Sequence, residues 1–557
     1  MQLVNGLHFN NIRGDIYGGL TAAVVALPLA MAMGVASGAG AIAGLYGAIF
    51  VGFFAALLGG TPAQVSGPTG PMTVVMAAIF TQYTGMFPDD PGHGAALAFS
   101  VVLLGGLFQV ALGLLRIGKY IELVPHPVIS GFMSGIGVII ILLQIGPLLG
   151  QEAISKPLDA AMAIPLSISQ MESHSFQIGL AVLALVYGIP LLLPKLNRLI
   201  PSPLFALIAG TLFYVCCMDY QVPVIGDIPT GFPALHLPVI EFELALKMIA
   251  SGLTLACLGA IDSLLTSLVA DNITRTQHNS DRELIGQGIG NAVAGLFGGL
   301  PGAGATMRTV VNVKAGGRTP LSGALHAVVL LAIVLGAGPL ASQIPKAVLA
   351  GILIKVGTDI IDWDYLKRIP IAPKAGVLIM VTVLVITVTI DLLLAVGVGM
   401  VMASFLFMKR MTDMQIRGIS TIRKPGEELP LADDEKAVLT AAEEQILLFH
   451  LSGPMSFSSA KAMVRRHASI AGYRIMLLDL TDVPVIDFTT SRAIEDIIED
   501  TRSAGRDIFL VGTQPSVRSI LEKHGILRHF NPGHIYQRRI DALLHAGRLL
   551  KDAQEGS

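Results

Sequence analysis

The sequence contains few charged residues and few cysteines for its length of 557 residues. Asp, Glu, Lys and Arg together make up 14% of it, against about 25% in ordinary soluble domains, so most of the surface is not built to face water. The three cysteines lie in apolar stretches without metal-ligand spacing, which argues against a disulfide framework and a cysteine metal site. A formal net charge of −2 gives no basis for binding nucleic acid.

Catalytic signatures are also missing from the sequence. It contains no recognisable set of nucleophile and base, no metal-ligand cluster and no phosphate-binding glycine loop. We therefore expect a protein that is not an enzyme.

Apolar side chains are abundant, at 53% of the residues, and the mean hydropathy is +0.69. This composition is typical of a chain that is solvated mainly by lipid. Fourteen apolar stretches predict a polytopic α-helical membrane domain over residues 1–410. The predicted transmembrane segments lie near 16–36, 42–59, 71–83, 95–115, 128–149, 176–194, 203–218, 245–270, 284–299, 305–314, 320–340, 345–360, 374–391 and 392–408.

Two of these segments are too short to cross a bilayer, which takes about 20 helical residues. Segment 71–83 follows Gly67-Pro68-Thr69-Gly70-Pro71, and segment 305–314 begins within Pro301-Gly302-Ala303-Gly304-Ala305-Thr306. A helix that begins inside the membrane points unpaired N–H groups and a positive dipole end into the protein, where they can hold an anion. Broken segments at matching places in two halves of a transporter indicate the substrate site, and two ordinary surface loops are the alternative.

The fourteen segments divide into two halves of seven, at about 1–220 and 240–410, with a broken segment third in each half. An odd number of spans inverts the second half relative to the first, so the two broken segments should meet head to head near the midplane. Lys and Arg concentrate in the connections on the side of both termini, which the positive-inside rule assigns to the cytoplasm. We expect a multi-pass protein of the inner (plasma) membrane with cytoplasmic termini.

One acidic residue lies deep inside a predicted span. Asp262 falls within the apolar run 248–270, and Thr266 follows one helical turn later on the same side. A carboxylate there costs about 2.5–3.5 kcal/mol to insert, which indicates an ion or proton site, and a structural carboxylate is the alternative. Together with the carbonyl groups of Gly304 and Ala305, these residues form an all-oxygen set that favours Na⁺ without excluding H⁺.

Arg308 lies two residues after Thr306, at the start of the second short segment. Its charge could attract an anion together with the helix dipole, pair with Asp262, or extend to the cytoplasmic edge of the membrane. The sequence favours none of these three roles over the others.

The composition changes after Arg410. Residues 411–436 are polar and predict a linker, whereas residues 437–557 alternate between strand-like and helix-like patterns and predict an α/β domain. The predicted strands lie at 445–451, 474–480 and 507–511, and the predicted helices at 458–471, 489–504, 515–524 and 540–549.

Three motifs and the terminal α/β module together carry a family resemblance. The motifs are Asn11-Ile12-Arg13-Gly14-Asp15-Ile16-Tyr17-Gly18-Gly19-Leu20-Thr21-Ala22-Ala23, Gly67-Pro68-Thr69-Gly70-Pro71 and Gly302-Ala303-Gly304-Ala305-Thr306-Met307-Arg308-Thr309. With them the chain resembles the SulP family of anion transporters, and its terminal module resembles a STAS domain. The resemblance implies a seven-plus-seven inverted-repeat fold with two half-helices, in which a core domain moves against a gate domain.

In SulP proteins that transport bicarbonate, the anion lies between the starts of the two half-helices. Relatives with glutamate in place of Asp262 are associated with proton coupling, so the aspartate favours sodium. The expected anion site comprises Thr69, Gly70, Ala305, Thr306 and Arg308. The expected Na⁺ site comprises Asp262, Thr266, Gly304, Ala305 and Thr306.

STAS domains resemble anti-sigma-factor antagonists, in which a phosphorylated serine follows an Asp-Ser-Ser pattern. The corresponding pattern here is Asp487-Phe488-Thr489-Thr490, which leaves Thr489 as a helix cap or as a phosphorylation site. The resemblance implies a homodimer, and the STAS domain is expected to mediate it or to bind a regulator.

The leading hypothesis is a secondary active transporter: a Na⁺-dependent bicarbonate symporter with an elevator-like alternating-access mechanism. Its expected partners are bicarbonate or another small oxyanion, Na⁺ as the coupling ion, and the lipid bilayer, with no role for nucleic acid. A proton-coupled symporter or exchanger for sulfate or dicarboxylates is the alternative. A membrane receptor or scaffold that signals through the STAS domain is a third hypothesis.

Overall fold

The chain divides into two compact units, Met1–Ala403 and Ser404–Ser557, in a computed structural model. The structure describes residues 5–121, 124–152, 154, 156–199, 201–217, 221–225, 233–341, 343–390, 392–426, 429–531 and 533–555.

Among its described residues, the first unit contains helices and two short strands, β1 (Ser66–Gly67) and β2 (Ala303–Gly304). A 3₁₀ turn at Phe242–Leu244 precedes its longest helix. The helices are α1 (Ile12–Ala36), α2 (Ala41–Leu58), α3 (Gly70–Met86), α4 (Pro91–Leu114), α5 (Gly118–Ile121), α6 (His126–Leu148), α7 (Pro157–Ser169), α8 (Ser173–Leu192), α9 (Pro194–Leu199), α10 (Ser202–Cys217), α11 (Ala245–Thr274), α12 (Ser280–Leu296), α13 (Thr306–Lys314), α14 (Pro320–Ala341), α15 (Lys346–Ile360), α16 (Trp363–Arg368), α17 (Lys374–Thr389) and α18 (Leu392–Arg417), the last of which ends in the second unit.

Each of the fourteen predicted apolar stretches coincides with a helix. Among the described residues, seven helices are long and apolar enough to cross a membrane by length and composition alone. Helix α13 has only nine residues and cannot span a bilayer by itself, as predicted. The predicted division between the two halves, at about 220–240, lies partly outside the described residues.

The helices of the first unit pack into two groups. One group contains α1 to α4 and α11 to α14, and the other contains α6, α7, α8, α10, α15 and α17. The groups touch mainly where α1 packs against α10 and α15 and where α3 packs against α6. Both half-helices, α3 and α13, belong to the first group.

The second unit is an α/β domain with a five-stranded sheet. Its strands are β3 (Ile419–Ile422), β4 (Ile446–Ser452), β5 (Ile475–Asp482), β6 (Asp507–Val511) and β7 (Ile535–Tyr536), in that spatial order. Its helices are α19 (Asp433–Ala441), α20 (Phe457–Ala468), α21 (Phe488–Ser503), α22 (Pro515–Lys523) and α23 (Arg539–Glu555), with a 3₁₀ turn at Ile526–His529. Strand β3 is antiparallel to β4, and the other strand pairs are parallel.

The central strands of this sheet are buried on both faces, as parallel strands require. Helices α20, α21 and α22 cover one face, where Phe449 and Leu478 belong to the core. Helices α19 and α23 cover the other face, where Leu448 and Phe509 belong to a second core.

The linker predicted for residues 411–436 is wrong. Helix α18 continues to Arg417, strand β3 pairs with β4 from Ile419 to Ile422, and α19 begins at Asp433. The segment is polar because these elements lie at the edge of the sheet or at its surface, so composition alone did not reveal them. Residues 427–428 lie outside the described part of the chain.

The helix cap predicted at Thr489 is also wrong, because Asp487 caps α21 by accepting from the Thr490 N–H at 2.7 Å.

A buried ionic network ties the sheet to the last helix. Asp479 on β5 accepts from Nδ1 of His450 at 2.9 Å and from Nε of Arg539 at 2.7 Å, and it also accepts from the Thr481 hydroxyl at 2.5 Å. Burial opposes ionisation of Asp479, but these hydrogen bonds and the charge of Arg539 outweigh it and lower its pKa to about 2. Strands β4 and β5 and helix α23 therefore share one carboxylate.

Asp479→Asn is expected to destabilise the C-terminal unit by about 3 kcal/mol, because it removes the nearer of the two carboxylates that pair with the buried charge of Arg539 and leaves only Glu435, at 3.4 Å. Since the pKa of Asp479 is lowered on folding, its stabilising contribution is complete above about pH 4 and is lost as the pH falls through about 2. Hydrogen exchange of β4 and β5 peptides in the full-length protein measures the change. The control is Asp482→Asn, whose side chain is 58% exposed and 3.5 Å from His450. Equal protection in Asp479→Asn and the unmodified protein would contradict this role.

Candidate functional site

The half-helices α3 and α13 both begin inside the first unit. Their preceding residues, Thr69 and Ala305, have extended backbones, and the first intrahelical bonds are Thr73 N–H to Thr69 O at 2.9 Å and Thr309 N–H to Ala305 O at 2.8 Å. The earlier amides of each helix have no intrahelical acceptor. These amides belong to Gly70, Met72, Thr306, Met307 and Arg308.

Strands β1 and β2 join the two half-helices just before they begin. The strands are antiparallel, with Ser66 opposite Gly304 and Gly67 opposite Ala303, and the Ala305 N–H donates to Val65 O at 2.9 Å. This pairing satisfies backbone groups that water cannot reach. It also agrees with the head-to-head meeting expected of inverted halves.

Helix α11 supplies the carboxylate of the site. Asp262 is 5% exposed, and its Oδ2 accepts from the Thr69 hydroxyl at 2.6 Å. The Thr69 hydroxyl therefore does not cap its own helix, although threonine commonly does so at this position. The first amides of α3 consequently remain free to meet a ligand.

The same face of α11 holds the second broken segment. The Thr266 hydroxyl donates to Gly304 O at 2.8 Å and lies 2.7 Å from the Thr306 hydroxyl. Ser263, one residue after Asp262, accepts from the Gly304 N–H at 3.1 Å. Of the sequence-predicted oxygen ligands, Thr266, Gly304 and Thr306 are thus in direct contact, whereas Asp262 bonds to Thr69 and the Ala305 carbonyl accepts the first bond of α13. Thr266 itself is fully buried.

Arg308 points into the protein and not to the membrane edge, because its side chain is only 2% exposed. Its Nη2 donates to Pro68 O at 2.5 Å, and its Nη1 has no hydrogen-bond partner among the described residues. The predicted alternative of extension to the cytoplasmic edge is wrong, and the described ion pairs do not include one with Asp262. Arg308 instead links the two broken segments, with Nη1 buried beside Gly67.

A cavity of about 690 Å³ contains most of the predicted site. Seven of the eight predicted residues line it, and Thr266 is the exception. The seven are Thr69, Gly70, Asp262, Gly304, Ala305, Thr306 and Arg308. The opposite wall comes from the second helix group, through residues such as Ile129 of α6 and Ile352 of α15.

Sequence reasoning missed the other end of this cavity. Lys355 and Asp359 form an ion pair there, next to Asp362, Trp363 and Asp364. Charges within α15 and the following connection were the available signal, but nothing in the sequence placed them on the wall of the same cavity. The sequence prediction assigns this connection to the cytoplasmic side.

The arrangement offers two kinds of ligand site. The amides that begin α3 and α13, the positive ends of both dipoles and the free donor of Arg308 suit an anion. The Asp262 carboxylate, the hydroxyls of Thr266 and Thr306 and the Gly304 carbonyl are all oxygens, which suit a hard monovalent cation.

Two family models and several known proteins match this chain. Residues 12–383 match the Sulfate permease family, and residues 437–542 match the STAS domain. The chain is 46% identical over 548 residues to the bicarbonate transporter BicA of a Synechocystis species, which covers 98% of this chain and 96% of that protein. It is also 46% identical over 554 residues to BicA of a Picosynechococcus species, with the same coverage.

Two solved structures show the same fold. The transmembrane domain of a cyanobacterium bicarbonate transporter BicA is 50% identical, with a TM-score of 0.66 over 71% of this chain and 100% of that chain. The murine Solute Carrier 26 family member A9 anion transporter, in the inward-facing state, is 19% identical, with a TM-score of 0.81 over 97% of this chain and 92% of that chain. The chain belongs to the Sulfate permease (SulP) family of anion transporters, with a helical membrane domain and a C-terminal STAS domain.

Proposed function

We propose that this protein is a Na⁺-dependent bicarbonate symporter that works by an elevator-like alternating-access mechanism. The observation that carries the proposal is the double use of Gly304–Thr306, where the Thr306 amide begins a half-helix while the Gly304 carbonyl and the Thr306 hydroxyl meet the Thr266 hydroxyl of α11. The two relatives that are 46% identical over almost their full length, both named bicarbonate transporters, support the choice of anion.

The anion is held between the two half-helix starts. Both dipoles present their positive ends to the cavity, and Arg308 lines it and adds a formal charge, with a buried Nη1 that has no hydrogen-bond partner in the described part of the chain. A planar oxyanion suits such a donor, because a guanidinium binds planar carboxylate-like groups through charge-assisted hydrogen bonds.

Sodium is held by Asp262, Thr266, Gly304 and Thr306, with the Ala305 carbonyl beside them. Without a cation, the carboxylate of Asp262 repels an incoming anion in a site of low dielectric constant. Bound sodium cancels this charge and stabilises the unwound segment, so each ion raises the affinity for the other by the same factor.

The elevator mechanism is supported by the division of the helices. All the proposed ligands belong to the first helix group, while the second group supplies only the facing wall of the cavity. Movement of the first group along the second would carry both ions together. The cavity reaches from the ligands to Asp362 and Trp363, on the side predicted to be cytoplasmic, which fits an inward-open conformation.

The proposal also includes the topology and assembly expected from the sequence: cytoplasmic termini, a location in the inner (plasma) membrane and a homodimer formed through the STAS domain.

Purified protein in liposomes should take up radiolabelled bicarbonate when sodium is present outside, at matched pH and membrane potential. Asp262→Asn should reduce this uptake by more than about tenfold, because the amide removes the charge that binds sodium. The matched control is Asp364→Asn, which makes the same chemical change at the other end of the cavity. Uptake by the unmodified protein that persists without sodium, or follows a proton gradient alone, would refute sodium coupling; preferred uptake of sulfate would refute the anion.

Gly67→Ala should raise the bicarbonate KM by about tenfold or more, because Gly67 has φ +148° and a methyl group there would lie 2.7 Å from Nη1 of Arg308. Gly85→Ala is the control, since a methyl group at Gly85 meets no atom within 4 Å. Uptake kinetics at saturating sodium separate this effect on the anion from one on the cation. An unchanged KM in Gly67→Ala would contradict the dependence of anion affinity on the position of Arg308.

A further inference from the structure

Glu283 is a buried carboxylate outside the cavity, and the proposed transport cycle does not use it. It lies on α12 and is 1% exposed. Its Oε2 accepts from the Gly60 and Thr61 N–H groups, both at 2.9 Å. Its Oε1 accepts from Nε2 of Gln64 and Nε2 of Gln287, both at 2.8 Å.

All four partners of Glu283 are donors, so the site is built for the ionised carboxylate. Two of the donors are backbone groups of the segment between α2 and β1, which has no secondary structure to satisfy them. A charge buried at this depth is costly unless it is fully hydrogen-bonded, as it is here. Glu283 therefore fixes the segment that leads into the first half-helix.

Two chains of contacts connect Glu283 to Gly304, a proposed sodium ligand. Gln64, held by Glu283, packs against Gly304 so closely that a methyl group on Gly304 would lie 2.7 Å from Cδ of Gln64. Gln287, the other amide, also donates to the Ser66 hydroxyl at 2.5 Å, and Ser66 is the β-sheet partner of Gly304.

Helix α11 closes the network from the other side. The Ser267 hydroxyl donates to Oε1 of Gln64 at 3.0 Å and lies 2.7 Å from the Thr61 hydroxyl. Ser267 directly follows Thr266, whose hydroxyl donates to the Gly304 carbonyl. Gln64 is thus held between α11 and α12, immediately behind the Gly304 backbone.

We propose that Glu283 is a positioning residue that sets the affinity for sodium by fixing Gln64 and Ser66 behind Gly304. The inference rests on the proposed function, because it assigns Gly304 to the sodium site. Glu283 touches neither ion. Its effect reaches sodium only through the position of the Gly304 carbonyl.

Glu283→Gln keeps the volume but replaces one acceptor oxygen by an NH₂ group that faces donors. The sodium concentration for half-maximal bicarbonate uptake should rise by about tenfold. Maximal uptake at saturating sodium, and the bicarbonate KM measured there, should change by less than about threefold. Glu152→Gln is the matched control, because that side chain is 90% exposed. It should leave the sodium dependence unchanged.

A double variant that exchanges the two side chains provides the decisive second test. In Glu283→Gln/Gln64→Glu the carboxylate moves to position 64, where it can accept from the new amide at position 283 and from the Ser267 hydroxyl. Half-saturation by sodium should return to within about threefold of the unmodified protein. Rescue of this kind is not expected if Glu283 only supports folding.

Gln64→Leu breaks the same link but leaves the bonds of Glu283 to Gly60 and Thr61, so it tests the proposal even if Glu283→Gln does not fold. It should raise the sodium requirement by a similar factor. Unchanged sodium dependence in Gln64→Leu, or loss of maximal uptake without a shift in sodium dependence and without rescue by the swap, would overturn the role of Glu283. Sodium-independent uptake by the unmodified protein would instead refute the proposed function itself.

Discussion

The site depends on one physical constraint: the backbone leaves its helical form in the middle of a membrane, where no water can satisfy its polar groups. The antiparallel pair Ser66–Gly67 and Ala303–Gly304 meets this constraint by letting the two broken segments satisfy each other. Ser263 and Thr266 complete the hydrogen bonding of Gly304 from α11. Once the crossing is fixed, the two half-helices must begin side by side, and their free amides face one cavity.

The proposed coupling of anion and cation would follow from the shared backbone at this crossing. In this proposal the anion would use the Thr306 N–H and the helical amides that follow it, because the Gly304 and Ala305 N–H groups are bonded to Ser263 and Val65. The cation would use the Gly304 carbonyl and the Thr306 hydroxyl. Asp262 bonds to Thr69 and Arg308 bonds to Pro68, without an ion pair between the two charges in the described part of the chain, so each keeps bonding capacity for an ion. In the role proposed for it, Glu283 fixes the residues behind Gly304, and the affinity for the cation would then depend on contacts throughout the first helix group.

Much of the fold could be predicted from the sequence, because long apolar runs and Gly/Pro interruptions are local signals. Asp262 was predictable for the same reason, as a charge inside an apolar run. Contacts between distant segments could not be predicted, because spacing along the sequence does not determine tertiary hydrogen bonds. Examples are the bonds of Thr69 with Asp262 and of Arg308 with Pro68. Glu283 was missed because it lies at the start of a span, where an acid at a helix N-terminus is ordinary. Strand β3 was missed because its polar neighbours resemble a linker.

The most direct test of the shared site is calorimetric titration of sodium into the purified full-length protein, with and without bicarbonate. We expect bicarbonate to lower the sodium Kd by about tenfold, and sodium to lower the bicarbonate Kd by the same factor, because linkage between two sites is reciprocal. Equal sodium affinities in the two titrations would contradict a site in which Gly304–Thr306 serves both ions.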